Sequence, residues 1–124
     1  HIFVWAFLEP ERILPHIQKE LENPENTIYL SPISVWEIQI LYEKDRLELH
    51  PDAITWLRDR IEELQPQEAH LTIEAALRSR NIGMNNEDPA DRFLAATAAV
   101  FDLTLVTADA RIIAGKGFSV MANR

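Results

Sequence analysis

The chain has 124 residues, which is enough for one domain with a buried core and too few for two. Hydrophobic residues make up 47 % of it, a share typical of globular proteins, and the absence of cysteine excludes disulfide frameworks, thiolate zinc sites and cysteine nucleophiles. The formal net charge of −8 argues against a protein that holds nucleic acid through a broad positive surface.

The negative charge is concentrated in the first part of the chain. Residues 1–68 carry fourteen acids and six bases, whereas residues 69–124 carry six of each. The longest apolar run, residues 2–8, is too short to cross a bilayer. We therefore expect no membrane association and a cytoplasmic location.

Short apolar runs alternate with amphipathic segments along the chain. On composition alone, residues 2–8 read as a strand. Hydrophobic spacing and capping residues predict helices at about 12–23, 31–43, 52–64, 72–80, 88–101 and 109–114. Short strands are predicted at 27–30, 70–71, 104–106 and 118–121. This alternation predicts βα units and a parallel sheet covered on both faces, with its chemistry at the carboxyl ends of the strands.

Glu37 lies on the apolar side of the helix predicted at 31–43. On a helical wheel it falls between Ile33 and Leu41, so its carboxylate is carried towards the interior. An unpaired buried charge costs several kcal/mol, roughly, so a cation should accompany it. A position at the edge of a cleft avoids this cost, and a buried arginine or a metal ion offsets it.

Asp88 and Asp91 open the next long helix in an Asp-Pro-x-Asp pattern. Asp88 is expected to cap the helix, and Asp91 can reach back in the manner of a capping box. Asp91 also shares its helix face with Ala95 and Ala98, whose small side chains let a ligand or another element approach. Asp91 is therefore the better candidate for chemistry, and Asp88 is a secondary one.

Asp109 and Thr107 follow the strand predicted at 104–106. An N-cap role is expected for Asp109, but it also lies at the carboxyl end of a strand, where an open parallel sheet binds ligands. With Glu37 and Asp91, it makes three carboxylates from three elements at one rim of the sheet. Such carboxylates repel one another unless a hard cation neutralises them, and oxygen-only ligation selects Mg²⁺ or Mn²⁺.

Three segments carry a family resemblance by their order and spacing: LSPISVWEI at residues 30–38, DPADRFLAA at 88–96 and LVTAD at 105–109. In these segments the chain resembles PIN-domain ribonucleases, and within them the VapC-like toxins of toxin–antitoxin pairs. The resemblance implies that residues 1–124 form a single PIN-like domain with a three-layer α/β/α fold and a central parallel sheet of about five strands. It also implies a site for Mg²⁺ or Mn²⁺ in which Glu37, Asp91 and Asp109 are the acids and Thr107 is an accompanying hydroxyl.

The chain departs from the resemblance at its start. In relatives the first strand ends in a motif such as Asp-Thr-His, and this chain begins at the position of that histidine. The first strand and the first acid, two residues before His1, are therefore expected to lie outside the sequence. The resemblance also makes residues 2–8 the first helix rather than a strand.

The resulting hypothesis is a metal-dependent endoribonuclease that, as the resemblance implies, leaves 5′-phosphate and 3′-hydroxyl ends. Arg92 is a secondary site candidate that could grip RNA or bridge to a carboxylate of its own fold, and Arg78, Arg80 and Arg111 could also grip RNA. The resemblance further implies a homodimer that is silenced by a small antitoxin protein. Two alternatives stay open: a PIN-like binding module without cleavage, and a receiver-like signalling domain with an acidic magnesium pocket.

Overall fold

The computed structural model describes residues 2–124, in which helices alternate with short strands. The helices are α1 (Ile2–Leu8), α2 (Pro15–Glu22), α3 (Pro32–Glu43), α4 (Ala53–Leu64), α5 (Ile73–Ser79), α6 (Pro89–Val100) and α7 (Ala110–Ile113), and a 3₁₀ turn spans Pro10–Arg12. The strands are β1 (Tyr29–Leu30), β2 (Gln67–Glu68), β3 (Thr104–Thr107) and β4 (Ser119–Ala122). The predicted α/β class is confirmed. In this part of the chain no helix is long and apolar enough to span a membrane.

Polar side chains determine where five of the helices begin. Each accepts a hydrogen bond from a backbone N–H in the first turn of the helix that follows it, and they are Ser31, Asp52, Thr72, Asp88 and Asp109. These bonds satisfy N–H groups that have no acceptor within the helix. The predicted starts of α3 to α7 are therefore confirmed.

Three elements differ from the sequence-based expectation. Residues 2–8 form the helix α1. The resemblance implied a helix here, whereas composition alone predicted a strand. The helix predicted at 12–23 begins only at Pro15, after the 3₁₀ turn. The strand predicted at 70–71 is wrong, because pairing with β1 begins directly after Pro66, where the N–H of Gln67 donates to the carbonyl of Ile28.

The strands form two separate parallel sheets, β1 with β2 and β3 with β4. Helices cross over within each pair, since parallel strands cannot be joined by a tight turn. Within residues 2–124 the strands thus form two short sheets instead of the single sheet of about five strands that was expected.

A groove of about 630 Å³ lies between the two sheets, and both β1 and β3 line it. The carbonyls of Ile28 and Leu30 accept hydrogen bonds from the β2 side, and the carbonyl of Thr107 accepts one from Asn123 at the end of β4. Backbone groups of successive strand residues point to opposite edges. Those of Tyr29 and Val106 therefore point away from β2 and β4 and take no part in either pairing.

Two apolar clusters form the core. One joins α1, α3 and α4 through Val4, Ile38, Leu49, Ala53, Trp56 and Leu57. The other joins α6, α7 and the loop before α6 through Ile82, Met84, Ala95 and Ile112. Helix α3 contacts α6. This contact brings the helices that carry Glu37 and Asp91 next to each other at the groove.

Candidate active site

Four of the side chains singled out in the sequence line the groove between the sheets. Glu37 comes from α3, Asp91 from α6, and Thr107 and Asp109 from the end of β3. Their elements are far apart in the chain and meet because α6 contacts both α3 and β3. The three carboxylates thus border the same groove, and their role in a common site stays a prediction.

Glu37 is half-buried in this groove. Burial is the largest cause that raises the pKa of Glu37, and the negative charges of Asp91 and Asp88 raise it further. Within residues 2–124, no lysine or arginine lies within ion-pair distance of this carboxylate. The described chain thus supplies no buried arginine partner, and the carboxylate stands at a cleft edge.

Asp91 is buried, with 7 % of its surface exposed. The side-chain amide of Asn86 donates to its Oδ2 at 2.6 Å. Burial is the largest influence and raises the pKa of Asp91, the hydrogen bond from Asn86 lowers it, and the charges of Asp88 and Asp109 raise it. The sequence did not predict a role for Asn86. It is one of several polar residues in a loop, and no sequence pattern connects it with Asp91.

Asp109 caps α7 by accepting the N–H of Arg111 at Oδ1, 2.8 Å away. The hydroxyl of Thr107 accepts the N–H of Asp109 at 3.0 Å, which fixes the turn between β3 and α7. The guanidinium of Arg111 hydrogen-bonds the carboxylate and is the main reason why the pKa of Asp109 is lowered. Thr107 thus positions Asp109, the second residue after the end of β3.

Asp88 is primarily the cap of α6, as expected. Its Oδ1 accepts the N–H groups of Ala90 and Asp91, at 2.9 and 3.4 Å. The capping-box interpretation of Asp91 is wrong, because the N–H of Asp88 donates to Asn86 instead. Asp91 therefore does not cap the helix. Asp88 affects the site through the electrostatic effect of its negative charge on Glu37 and Asp91.

Arg92 does neither of the things expected of it. It is 6 % exposed, and its three nitrogens donate to five backbone carbonyls, those of Ser79, Arg80, Ile82, Met84 and Asn86. Among residues 2–124 no carboxylate lies within ion-pair distance of it. The guanidinium is thus unavailable to RNA and unpaired with an acid. It fixes the loop that carries Asn86 towards Asp91.

The other arginines proposed to contact RNA differ in location. Arg78 and Arg80 are exposed near the end of α5, and Arg80 lies 3.8 Å from Glu87. Arg111 lies at the site itself, 3.0 Å from Asp109 and 3.7 Å from Asp91.

The sequence matches the PIN domain family over residues 1–117. The chain belongs to the PIN-domain family. It is similar to Ribonuclease VapC22 of Mycobacterium tuberculosis, with 30 % identity over 115 residues that cover 90 % of this chain and 85 % of that protein. No solved structure gives a significant match. The resemblance to VapC-like PIN-domain proteins is thereby confirmed.

The donor chemistry of this PIN domain fits a hard divalent cation, because Glu37, Asp91 and Asp109 present only carboxylate oxygens. Within residues 2–124, however, no three acidic or histidine side chains converge as a ready-made metal site. Two of the three carboxylates are instead engaged by Asn86 and Arg111. Binding of a cation would therefore require a local rearrangement of the site.

The pKa of Glu37 predicts a stability effect in the metal-free PIN domain. The folded state holds this proton more tightly than the unfolded chain, so ionisation of Glu37 opposes folding as the pH rises above its ordinary pKa. We expect Glu37→Gln to raise the melting temperature at neutral pH by a few degrees. The gain should vanish below about pH 4, where Glu37 is protonated in both states. Thermal unfolding followed by circular dichroism measures this.

Asp109→Asn serves as a control with the opposite expected effect. The pKa of Asp109 is lowered in the folded state, so its negative charge stabilises the fold at pH values above its ordinary pKa. The substitution should lower the melting temperature at neutral pH and have little effect in acid. A lower melting temperature for Glu37→Gln at neutral pH would contradict the assignment of Glu37.

Arg92 generates a second prediction. Arg92→Lys cannot reproduce five directed hydrogen bonds and leaves buried carbonyls without donors, so we expect it to cost at least about 3 kcal/mol of unfolding free energy. Arg78→Lys, an exposed change on α5, should stay within about 0.5 kcal/mol. Urea denaturation compares the two variants. An unfolding midpoint for Arg92→Lys equal to that of the parent chain would rule out this role.

Proposed function

We propose that this PIN domain is a Mg²⁺- or Mn²⁺-dependent endoribonuclease, the toxin of a toxin–antitoxin pair. The observation that carries the proposal is the half-buried rim on which Glu37, Asp91 and Asp109 from three elements border one groove. The family membership and the name of the curated relative, a ribonuclease, support it. A cation would be held by the carboxylates of these three residues.

The residues around the acids have positioning tasks in this proposal. Asn86 holds Oδ2 of Asp91 in place, and Arg92 holds the loop that carries Asn86. Thr107 fixes the turn that presents Asp109 to the groove. When bound, Mg²⁺ or Mn²⁺ lowers the pKa of a water molecule and offsets negative charge on the phosphodiester.

The charge distribution is compatible with RNA in spite of the net charge of −8. The excess of acids lies in residues 1–68, whereas residues 69–124 are balanced and include Arg78, Arg80 and Arg111. RNA is therefore expected to bind through the cation and a local basic patch. We propose that the acidic part attracts a basic segment of a small antitoxin protein, and that the protein works in the cytoplasm as a homodimer.

For the fold, we propose that the 124 residues act as one domain and that an added central strand completes its parallel sheet. The groove between β1 and β3 is lined mainly by apolar side chains, and strands buried on both faces are continuous apolar runs. The backbone groups of Tyr29 and Val106 point away from the strands already paired and are suited to take up such a strand. The carboxyl end of a parallel strand in this position would lie at the rim with Glu37 and Asp109.

Cleavage of defined RNAs tests the proposed activity. Asp91→Asn and Asp109→Asn each remove a carboxylate from the site. Loss of a residue that only hydrogen-bonds a metal ligand lowers activity roughly 10–100-fold, so loss of the carboxylate itself should lower the cleavage rate by more than that. EDTA should abolish cleavage and added Mg²⁺ or Mn²⁺ should restore it.

The control for these variants is Asp102→Asn. Asp102 is exposed after α6 with a φ of 53°, a conformation that asparagine also tolerates. This variant should cleave at the parental rate. Cleavage that persists in EDTA or in Asp91→Asn would refute the metal-dependent mechanism. A folded, cation-loaded protein that binds RNA without cutting it would favour the binding-module alternative.

The added strand is tested with short peptides in trans. An extended apolar peptide that ends in aspartate should slow hydrogen exchange at the amides of Tyr29 and Val106 and change the fluorescence of Trp5, which lines the groove. A peptide of equal length with its central residue replaced by proline cannot complete the ladder and should protect neither amide. Equal exchange with both peptides at saturating concentration would disprove a strand at this position.

A further inference from the structure

Arg111 supplies the cation that contacts two of the site's carboxylates within residues 2–124. Its Nε and Nη2 lie 3.3 and 3.0 Å from Oδ1 and Oδ2 of Asp109, so that the guanidinium and the carboxylate form a bidentate pair. The same Nη2 lies 3.7 Å from Oδ2 of Asp91. One guanidinium therefore links the end of β3 to α6 across the rim of the groove.

We propose that Arg111 is a latch: it competes with the divalent cation for Asp91 and Asp109, and the cation displaces it on binding. This inference deepens the proposed function and rests on it. According to this proposal, Arg111 on α7 controls the affinity of the site for metal.

The hydrogen bonds of Asp109 require such an exchange. Its Oδ1 accepts the backbone N–H of Arg111 at 2.8 Å and also faces Nε, and its Oδ2 accepts Nη2. The backbone bond belongs to the cap of α7 and can persist. A cation that binds Oδ2 must replace the bond from Nη2, because the two positive groups cannot share that side of the oxygen.

The charges around the latch favour a cation at this position. Asp91 interacts electrostatically with Glu37, Asp88 and Asp109, and Nη2 of Arg111 lies 3.7 Å from its Oδ2. Arg111 offsets part of this repulsion. A divalent cation carries twice its charge and binds carboxylates at shorter distances, so it can replace the guanidinium.

Exposure makes the latch reversible. The side chain of Arg111 is 63 % exposed, whereas Arg92 is 6 % exposed and bound by five carbonyls. A released Arg111 guanidinium passes directly into water, where its hydration replaces the lost bonds. Arg111 can therefore leave the carboxylates without disturbing the core.

Mn²⁺ binding, followed by electron paramagnetic resonance, tests the latch without an activity readout. Arg111→Gln should bind Mn²⁺ about five-fold more tightly than the parent chain, because a competing charge and its hydrogen bonds are gone. Arg111→Lys keeps the charge but loses the bidentate pairing, so its affinity should lie between the two. Arg58→Gln removes an equal charge from an exposed position on α4 outside the groove and should change the affinity by less than about two-fold.

Asp91→Asn separates failure of the latch from failure of the proposed function. If Asp91→Asn weakens Mn²⁺ binding while both Arg111 variants bind as the parent does or more weakly, the latch alone is overturned. If Asp91→Asn leaves Mn²⁺ binding unchanged, the metal site is wrong and the proposed function falls with it. Circular dichroism confirms that each variant is folded. Should Arg111→Gln be unfolded, Arg111→Lys decides the question, and an unchanged affinity in that variant overturns the latch.

Discussion

Repulsion among carboxylates is the constraint around which this site is organised. Asp91 interacts electrostatically with three other acids, Glu37, Asp88 and Asp109, and burial removes water that would otherwise screen Glu37 and Asp91. Two of the acids are held by neutral donors: Asn86 fixes Asp91, and backbone N–H groups fix Asp88. Such bonds orient a carboxylate without removing its charge. The negative charge of the site therefore still favours a bound cation. Clusters of oxygen ligands with excess negative charge bind hard divalent ions.

The groove explains why these acids meet at all. Strand β1 leads into α3, which carries Glu37, and β3 leads into the turn at Thr107 and Asp109. Both strands run in parallel sheets whose inner edges border the groove, so the segments that follow them emerge at the same rim. Helix α6 contacts α3 and β3 and adds Asp91 between them. The spacing of the carboxylates is thus set by the backbone of two sheets and two helices.

Much of this arrangement could be predicted from the sequence, because local signals and the fold agree. Ser31, Asp88 and Asp109 mark helix starts that the structure keeps, and the α/β alternation follows from the apolar pattern. The errors lie where tertiary contacts decide. Pairing with β1, not local composition, sets the position of β2. Asn86 reaches Asp91 from the end of the loop whose carbonyls Arg92 binds. No periodicity in the sequence encodes a side chain that binds five carbonyls.

Arg92 and Arg111 show how burial alone separates two uses of one chemical group. The guanidinium of Arg92 is enclosed, and its bonds to the carbonyls of Ser79, Ile82 and Met84 are buried, so it stays in place while the chain is folded. The guanidinium of Arg111 faces solvent, and its partners are carboxylates, which prefer a doubly charged ion. The first arginine therefore builds the site, while the second is the part of it that can be exchanged. A net charge of −8 does not distinguish them, because what matters at the rim is which positive charge can leave.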